Sequence, residues 1–557
     1  MRIYSPKVNN RIIFDKKSLP ILITIGLIVF LISFWIGGVL YENGIHTPIK
    51  LLLQGRVDEI SDGSFKSLFT EFSGLVKSET IAYTGNNLPT LYLDIPFENL
   101  QIIQEKRDEA RKTGILLSSD DDYVTATARY NDSAPMDVEL RLKGDWTDHL
   151  DGSKWSYRIH IEDDAAIEGM RRFSIQEPGT REFVYEWAYH QNLMKEGLLT
   201  PRYFFINVIE NGENKGIYAM EESFYTELME SQNRRSGVII RFDEDDMWEN
   251  MAEFYEGGNE DLRTASQRSG YFMMSDYTSS NISAFGFGGI QKNPVLSAEY
   301  ETAQELLRAY QNGEENASSV FDLEQIGKYL AITELWGAGH GLAWHNLRFY
   351  YNPVTNLLEP IGFDGAPMMA AFRYVDFHEI GDGNYLMMDP EIREGFYTQI
   401  LHYLDDSYLK SLEEEYGDEA QFYADAMNKS YSFDTSLNWE NLYAQRDYLF
   451  EQLAIENYVE VLNVKKEDSS YSFSIRNTFF TTVEIEKVEF RDSTENVISS
   501  ITVNEKISPV LPNNVNAEGK QLIVSPISSS ISDDSQIYFK VYDPIGDNRV
   551  WILIETE

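Results

Sequence analysis

The sequence predicts an α+β protein in three parts: an N-terminal transmembrane helix, a large mixed domain, and a C-terminal β-sandwich of immunoglobulin-like type. Three observations carry this prediction. Residues 19–40 run for 22 residues without a charge. Residues 123–161 alternate apolar and polar positions, an Asn-Gly turn joins two apolar runs over 202–222, and helical spacing marks residues 322–336 and much of 390–458. From residue 458 to residue 557 the chain breaks into short alternating strands separated by Ser, Asn, Pro and Asp.

Composition narrows the functional classes. The 557 residues hold 47 basic and 90 acidic side chains, a formal net charge of −43, and no cysteine. Without cysteine there is no disulfide framework, thiolate zinc site, iron–sulfur cluster or cysteine nucleophile. The acidic balance excludes nucleic acid as the partner, because a phosphate backbone needs a basic footprint. At 43% apolar and 13% aromatic, the chain can bury large cores.

The first element is the membrane span. At about 1.5 Å per residue, residues 19–40 reach about 33 Å, enough to cross a bilayer core. Residues 1–18 carry Arg2, Lys7, Arg11, Lys16 and Lys17 against Asp15, a tail of net +4 ahead of a remainder of net −47. The positive-inside rule puts the tail in the cytoplasm and everything beyond the span outside. A cleaved signal peptide is the rival reading; its apolar core usually runs about 7–15 residues, and Gly37-Gly38 makes a poor cleavage site. Residues 41–87 read as a stalk, 88–457 as the mixed domain, and 458–557 as the sandwich.

Within the mixed domain, residues 88–96 read as a strand and 98–112 as a helix. Val138, Leu140 and Leu142, then Trp155, Tyr157, Ile159 and Ile161, give antiparallel strands with one buried face. Residues 180–197 read as a helix capped by Thr180, with Phe183, Val184, Trp187 and Met194 in the core and Gly197 as its stop. Asn211-Gly212 between two apolar runs is a type I′ hairpin signal. Residues 256–295 read as a long surface excursion, and Phe285-Gly-Phe-Gly-Gly289 as a flexible loop rather than a phosphate cradle. Asp322 and Gln325 open a helix to Trp336. Strands follow near 347–351 and 358–363, joined at Asn352-Pro353. The last helix aligns Trp439, Leu442, Tyr443, Arg446, Leu449, Phe450 and Leu453 on one stripe.

Four segments bring chemistry. Arg141-Leu-Lys143-Gly-Asp145 and Lys154-Trp-Ser-Tyr-Arg158 place basic residues on alternating strands of an acidic chain. The hairpin 211–222 ends in Glu221 and Glu222, which alternation turns to opposite faces, so at most one joins a given site. Residues 339–351 carry His340, His345 and Asn346, and residues 359–367 carry Asp364. An amide and a carboxylate on neighbouring hairpin ends, with a lysine for phosphates, is the layout of metal-assisted phosphoryl transfer. A sheet face for Arg141 and Lys143, a turn for Asp364-Gly365 and structural histidines are the plainer readings of the same residues.

In these residues the chain resembles the CotH kinase family, named after spore coat protein H, an atypical protein-kinase-like fold. The resemblance rests on R-x-K-G…K-x-S-x-R-I from Arg141, on Pro201-Arg202 after the helix, on N-G-x-x-x-G-I-Y-x-x-x-E from Asn211, and on N-x-x-x-Y…P-I-x-x-D from Asn346 to Asp364. A W-x-x-L…R-x-x-L helix at 439–449 extends it, so that it covers residues 88–456. It implies ATP with Mg²⁺ or Mn²⁺ as cofactor. Lys154 would contact phosphate beside Arg141 and Lys143, Glu222 would orient that lysine or help with the metal, and Asn346 and Asp364 would hold the metal. The proton-accepting Asp of kinases falls at Gly341, which leaves His340 for the catalytic role. The implied function is a membrane-anchored, extracytoplasmic protein that binds nucleotide with metal and phosphorylates Ser/Thr of envelope proteins. The alternative is a non-catalytic envelope protein that holds a partner through the same fold. A Ca²⁺-dependent adhesin has less support, since Asp243–Asp246 is a contiguous acidic run.

Overall fold

The structure is a computed structural model that describes residues 86–554, apart from 163, 257–276, 369–385, 432, 458, 468–469, 480, 511–518, 527–530 and 532–533. The expected tail (1–18) and span (19–40), and nearly all of the expected stalk (41–87), lie outside the described residues. Among those described, no helix is long and apolar enough to cross a membrane.

The first lobe is a closed barrel. Its strands are β1 (Thr90–Asp94), β2 (Val124–Tyr130), β3 (Met136–Leu142), β4 (Tyr157–Ile161), β5 (Arg172–Gln176), β6 (Tyr203–Glu210) and β7 (Glu213–Glu222), in the order β1-β2-β3-β4-β5-β7-β6. Neighbours are antiparallel except β1 and β6, whose parallel pairing closes the ring. Alternation sends Leu93, Leu140, Ile159, Phe173, Val208 and Met220 inside, all fully buried. Their neighbours face outward; Tyr203, Phe205 and Ala219 pack into the second core, beside a charged row that includes Arg141, Arg158 and Glu221. Asn211 and Gly212 have φ of 50° and 81°, the left-handed pair that a type I′ turn requires. Helix α1 (Phe97–Thr113) covers the barrel near β2.

The second lobe is mostly helical. Helix α2 (Val184–Lys195) starts later than the sequence suggests, because Pro178 opens a tight 3-10 turn over Pro178–Arg181. The Thr180 hydroxyl donates to the Glu177 carbonyl at 2.8 Å instead of capping the helix. Next come α3 (Asp245–Glu256) and α4 (Pro294–Gln311), then α5 (Leu323–Leu335), α6 (Pro390–Tyr403), α7 (Asp406–Met427) and α8 (Trp439–Gln452). Asp322 caps α5, accepting from the Glu324 and Gln325 amides at 3.1 and 3.0 Å. Helices α5 and α6 cross where Gly327 faces Gly395; a Cβ on Gly327 would sit 3.0 Å from the Gly395 carbonyl carbon. On α8, Leu442 and Leu449 are buried, but Phe450 is 65% exposed, since it lies about 100° round the helix from Leu449. A small sheet, β11-β10-β8-β9, is built from β8 (Ile239–Phe242), β9 (Ile282–Ala284), β10 (Arg348–Asn352) and β11 (Leu357–Pro360). The excursion expected over 256–295 therefore contains a strand, and a helix begins at its end.

The C-terminal part forms two antiparallel sheets, β12-β13-β16 and β15-β14-β17-β18, from β12 (Val459–Glu467), β13 (Ser470–Asn477), β14 (Val483–Arg491), β15 (Val497–Ile507), β16 (Lys520–Val524), β17 (Gln536–Asp543) and β18 (Asn548–Ile554). Their inner faces meet through Phe473 on Phe539 at 5.0 Å and Tyr471 on Phe490 at 4.9 Å. The sandwich is fixed to α6 by Tyr397, whose hydroxyl donates to the buried Asp543 carboxylate at 2.6 Å and whose ring meets Phe479 edge-on at 5.0 Å.

Candidate functional site

The site is built around the turn after β11. Ile361 bridges to Leu199, and the Gly362 amide donates to the Leu199 carbonyl at 2.9 Å, which anchors the segment beside the end of α2. Asp364 and Ala366 then adopt φ of 51° and 45°. Glu186 of α2 holds this strained turn by accepting from the Gly365 and Ala366 amides at 3.0 and 2.9 Å. A Cβ at Gly365 would lie 2.7 Å from the Tyr189 ring, so only glycine fits there. Glu186, 1% exposed, also pairs with buried His190 at 3.1 Å. Burial opposes charge on His190, yet Glu186 raises its pKa above the ordinary imidazole value.

The turn aims the Asp364 carboxylate at two cationic side chains. Arg181 grips it with both arms, Nε on Oδ1 in a close ion pair and Nη2 on Oδ2 at 3.1 Å. His340 Nδ1 lies 3.3 Å from Oδ1 and 2.9 Å from the Asp364 carbonyl. Burial alone would raise the carboxyl pKa; Arg181 and then His340 reverse this and hold it well below the carboxylate range. Asp364 in turn raises His340 above its ordinary value, a shift towards the cationic form and away from what a general base needs. Asn346, 6% exposed, donates its amide to the His340 carbonyl at 3.0 Å.

On the barrel side, Lys143 stands one residue beyond β3 on the outer face. Its ammonium donates to Gln176 Oε1 at 2.9 Å and makes a close ion pair with Glu221. Burial lowers the Lys143 pKa, against the pull of Glu221. Burial likewise pushes Glu221 up, but Lys143 outweighs it and leaves the carboxyl below its ordinary value.

Lys143 also lies near enough to Asp364 to help lower its carboxyl pKa, so the structure brings together Lys143, His340, Asn346 and Asp364 and sets the other expected residues apart. Lys154 pairs with Glu177 at 2.9 Å and donates to the Tyr431 hydroxyl at 3.0 Å and the Ile217 carbonyl at 3.2 Å. Glu222, on the inward parity at the end of β7, is taken up by Arg202 through a close ion pair and a 3.0 Å bond from Nε. Lys154 and Glu222 thus do not pair with each other, whereas Lys143 and Glu221 do. Arg141 shares the Lys143 face but bonds to Ser118 and to the Leu142 carbonyl at 3.2 Å. Sequence reasoning missed Arg181 and Glu186, and of the two carboxylates that end the hairpin it gave the role to Glu222 rather than Glu221. For Glu221 the signal was present: it keeps the Lys143 parity, while Met220 beside it points into the barrel.

Two features limit the chemistry. A Cβ at Gly341, the position of the kinase catalytic Asp, would lie 2.8 Å from the Phe363 carbonyl oxygen and 3.2 Å from the Tyr329 hydroxyl, so the backbone leaves no room for a side chain. The donor set also does not fit the divalent ion that the family implies. The Asp364 carboxylate is engaged by Arg181 and His340, and among the described residues no group of three or more His, Asp or Glu stands ready to hold a metal.

Residues 140–387 match the family model described as CotH kinase protein. The match begins within β3 and ends before α6, a shorter stretch than residues 88–456. No curated protein matches the chain.

Proposed function

We propose that this protein, whose residues 140–387 match the CotH kinase family model, binds the phosphate groups of a nucleotide between its barrel and helical lobes, as a binding rather than a transferring domain. The carrying observation is the closed Gly341 position, which removes the proton acceptor by geometry and not only by residue choice. Lys143, steadied by Glu221 and Gln176, supplies the phosphate contact, and Arg181 and His340 add positive charge beside Asp364. The domain stands outside the membrane on the anchor of residues 19–40, where it presents its site and its sandwich to envelope or surface proteins.

Titrating ATP into the full-length protein tests this reading. Lys143→Met should weaken ATP binding at least tenfold, whereas equal affinity in wild type and variant ends the proposal. Phosphoryl transfer to Ser/Thr hydroxyls of envelope proteins is the second reading, favoured by the family match and the Lys143–Glu221 pair. Label moving from γ-labelled ATP to an envelope extract, dependent on Lys143, would make the protein an enzyme.

A further inference from the structure

Three arginines stand side by side on the outer wall of the barrel. Arg141 on β3 lies directly opposite Arg158 on β4, and Arg172 on β5 lies opposite His160, two residues along β4 from Arg158. Alternation puts all of them on one face. Like charges directly opposite each other on a sheet destabilise it, so the arrangement costs the free protein stability.

The chain has 90 acidic side chains with which to offset that cost, and it places none in an ion pair with these three among the described residues. Glu139 occupies the same face opposite His160 and pairs with none of them. Arg141 is only 9% exposed and its Nε has no partner; the Nε atoms of Arg158 and Arg172 are buried and unpartnered as well. What surrounds the arginines is aromatic: Arg141 lies 5.2 Å from the Tyr123 ring, and Arg172 lies 4.3 Å from the Tyr225 ring. On the small sheet, where Arg241 lies on β8 and Arg348 on β10, the charges are settled differently. Arg241 and Arg348 share Glu244 at 3.0 and 3.1 Å. Asp145, three residues beyond β3, acts on Arg158 but is shared with Arg241 and Arg348, so the excess of positive charge stays on the barrel wall.

Arg141 already donates through Nη1 to Ser118 and the Leu142 carbonyl, but each of the three guanidiniums keeps a buried, unpartnered Nε, and an oxyanion satisfies such donors and cancels the repulsion between them. We infer that Arg141, Arg158 and Arg172 form an oxyanion-binding stripe, distinct from the Lys143–Asp364 site beside it, that takes a phosphate group. Two sources share this chemistry. One is a phosphate carried by another molecule or free in solution, which the stripe binds independently of nucleotide. The other is the phosphate chain of the nucleotide itself.

Calorimetric titration of full-length protein with inorganic phosphate, alone and after saturation with ATP, tests the inference. Wild type should take up phosphate in both conditions. The double variant Arg158→Gln/Arg172→Gln should lose at least tenfold in phosphate affinity and keep ATP affinity within twofold, and Arg158→Lys should lose part of the phosphate affinity because it keeps the charge but not the fork. The glutamine variant should unfold at the same temperature as wild type or higher, since like-charge repulsion is removed. Phosphate uptake abolished by ATP, or ATP affinity falling in parallel with phosphate affinity, would assign the stripe to the nucleotide and overturn its separate role. So would phosphate affinity unchanged in the double variant, or no uptake by wild type at millimolar phosphate.

Discussion

At the scale of single residues, Asp364 sets the behaviour that is easiest to measure. Its carboxyl pKa is depressed in the folded protein, mainly through Arg181 against the opposing effect of burial. A depressed carboxyl contributes stability that is complete above the unfolded value near 3.9 and is lost as pH falls through the folded value. Asp364→Asn should therefore cost roughly 3–5 kcal/mol at neutral pH, and its gap in melting temperature from wild type should hold from pH 8 to 5 and narrow below about pH 4. A gap that widens in acid would contradict the pairing. Because Arg181 already neutralises Asp364, ATP binding should keep its affinity within twofold in EDTA; a tenfold loss would restore a divalent ion to the site. Gly341→Asp should bring no transfer activity and lower stability by about 1–3 kcal/mol, as overpacking does. Lys143, His340, Asn346 and Asp364, which the structure gathers, each sit in a short sequence motif of unusual composition. Arg181 and Glu186 were not legible in the sequence, since their roles come from a turn 180 residues downstream whose φ angles no local pattern announces.

At the scale of elements, caps and turns were the most legible features. Asp322 caps α5 as its spacing with Gln325 suggests, and Asp322→Ala should cost about 1 kcal/mol in denaturant unfolding. The Asn211-Gly212 turn has the φ signs its dipeptide demands. Helix α4 was overlooked although Asn293 caps it and Pro294 stands at its first position; the glycines at 286, 288 and 289 drew the reading towards loop. Thr180 shows the reverse error, a good capping residue placed where Pro178 had already started a different turn. Alternation identified strands of the barrel but not its closure, because β1 pairs with β6 across more than a hundred residues and nothing local encodes that contact.

At the scale of the whole molecule, the C-terminal sandwich and the helical lobe share one continuous hydrophobic core, with Tyr397 and Asp543 at their contact. Calorimetry of the full-length protein should accordingly show the two melting together, and Tyr397→Phe, which leaves the buried Asp543 short of a donor, should lower that transition by roughly 1–3 kcal/mol. Two separate transitions would show that the contact does not couple them. Charge at this scale divides between a +4 tail and a −47 remainder, and deleting residues 1–40 should move the protein from the membrane pellet to the supernatant.

The ring made by β1 and β6 has a consequence for recognition. An open sheet can twist and fan its strands to suit what it meets; a closed one has its spacing set by its hydrogen bonds. Arg141, Arg158 and Arg172 ride on three consecutive staves of that ring, so their separation is a fixed gauge. Such a wall selects by size and shape, accepting an anion that spans the gauge without reshaping itself for one that does not. Its selectivity should persist on warming until the barrel itself unfolds.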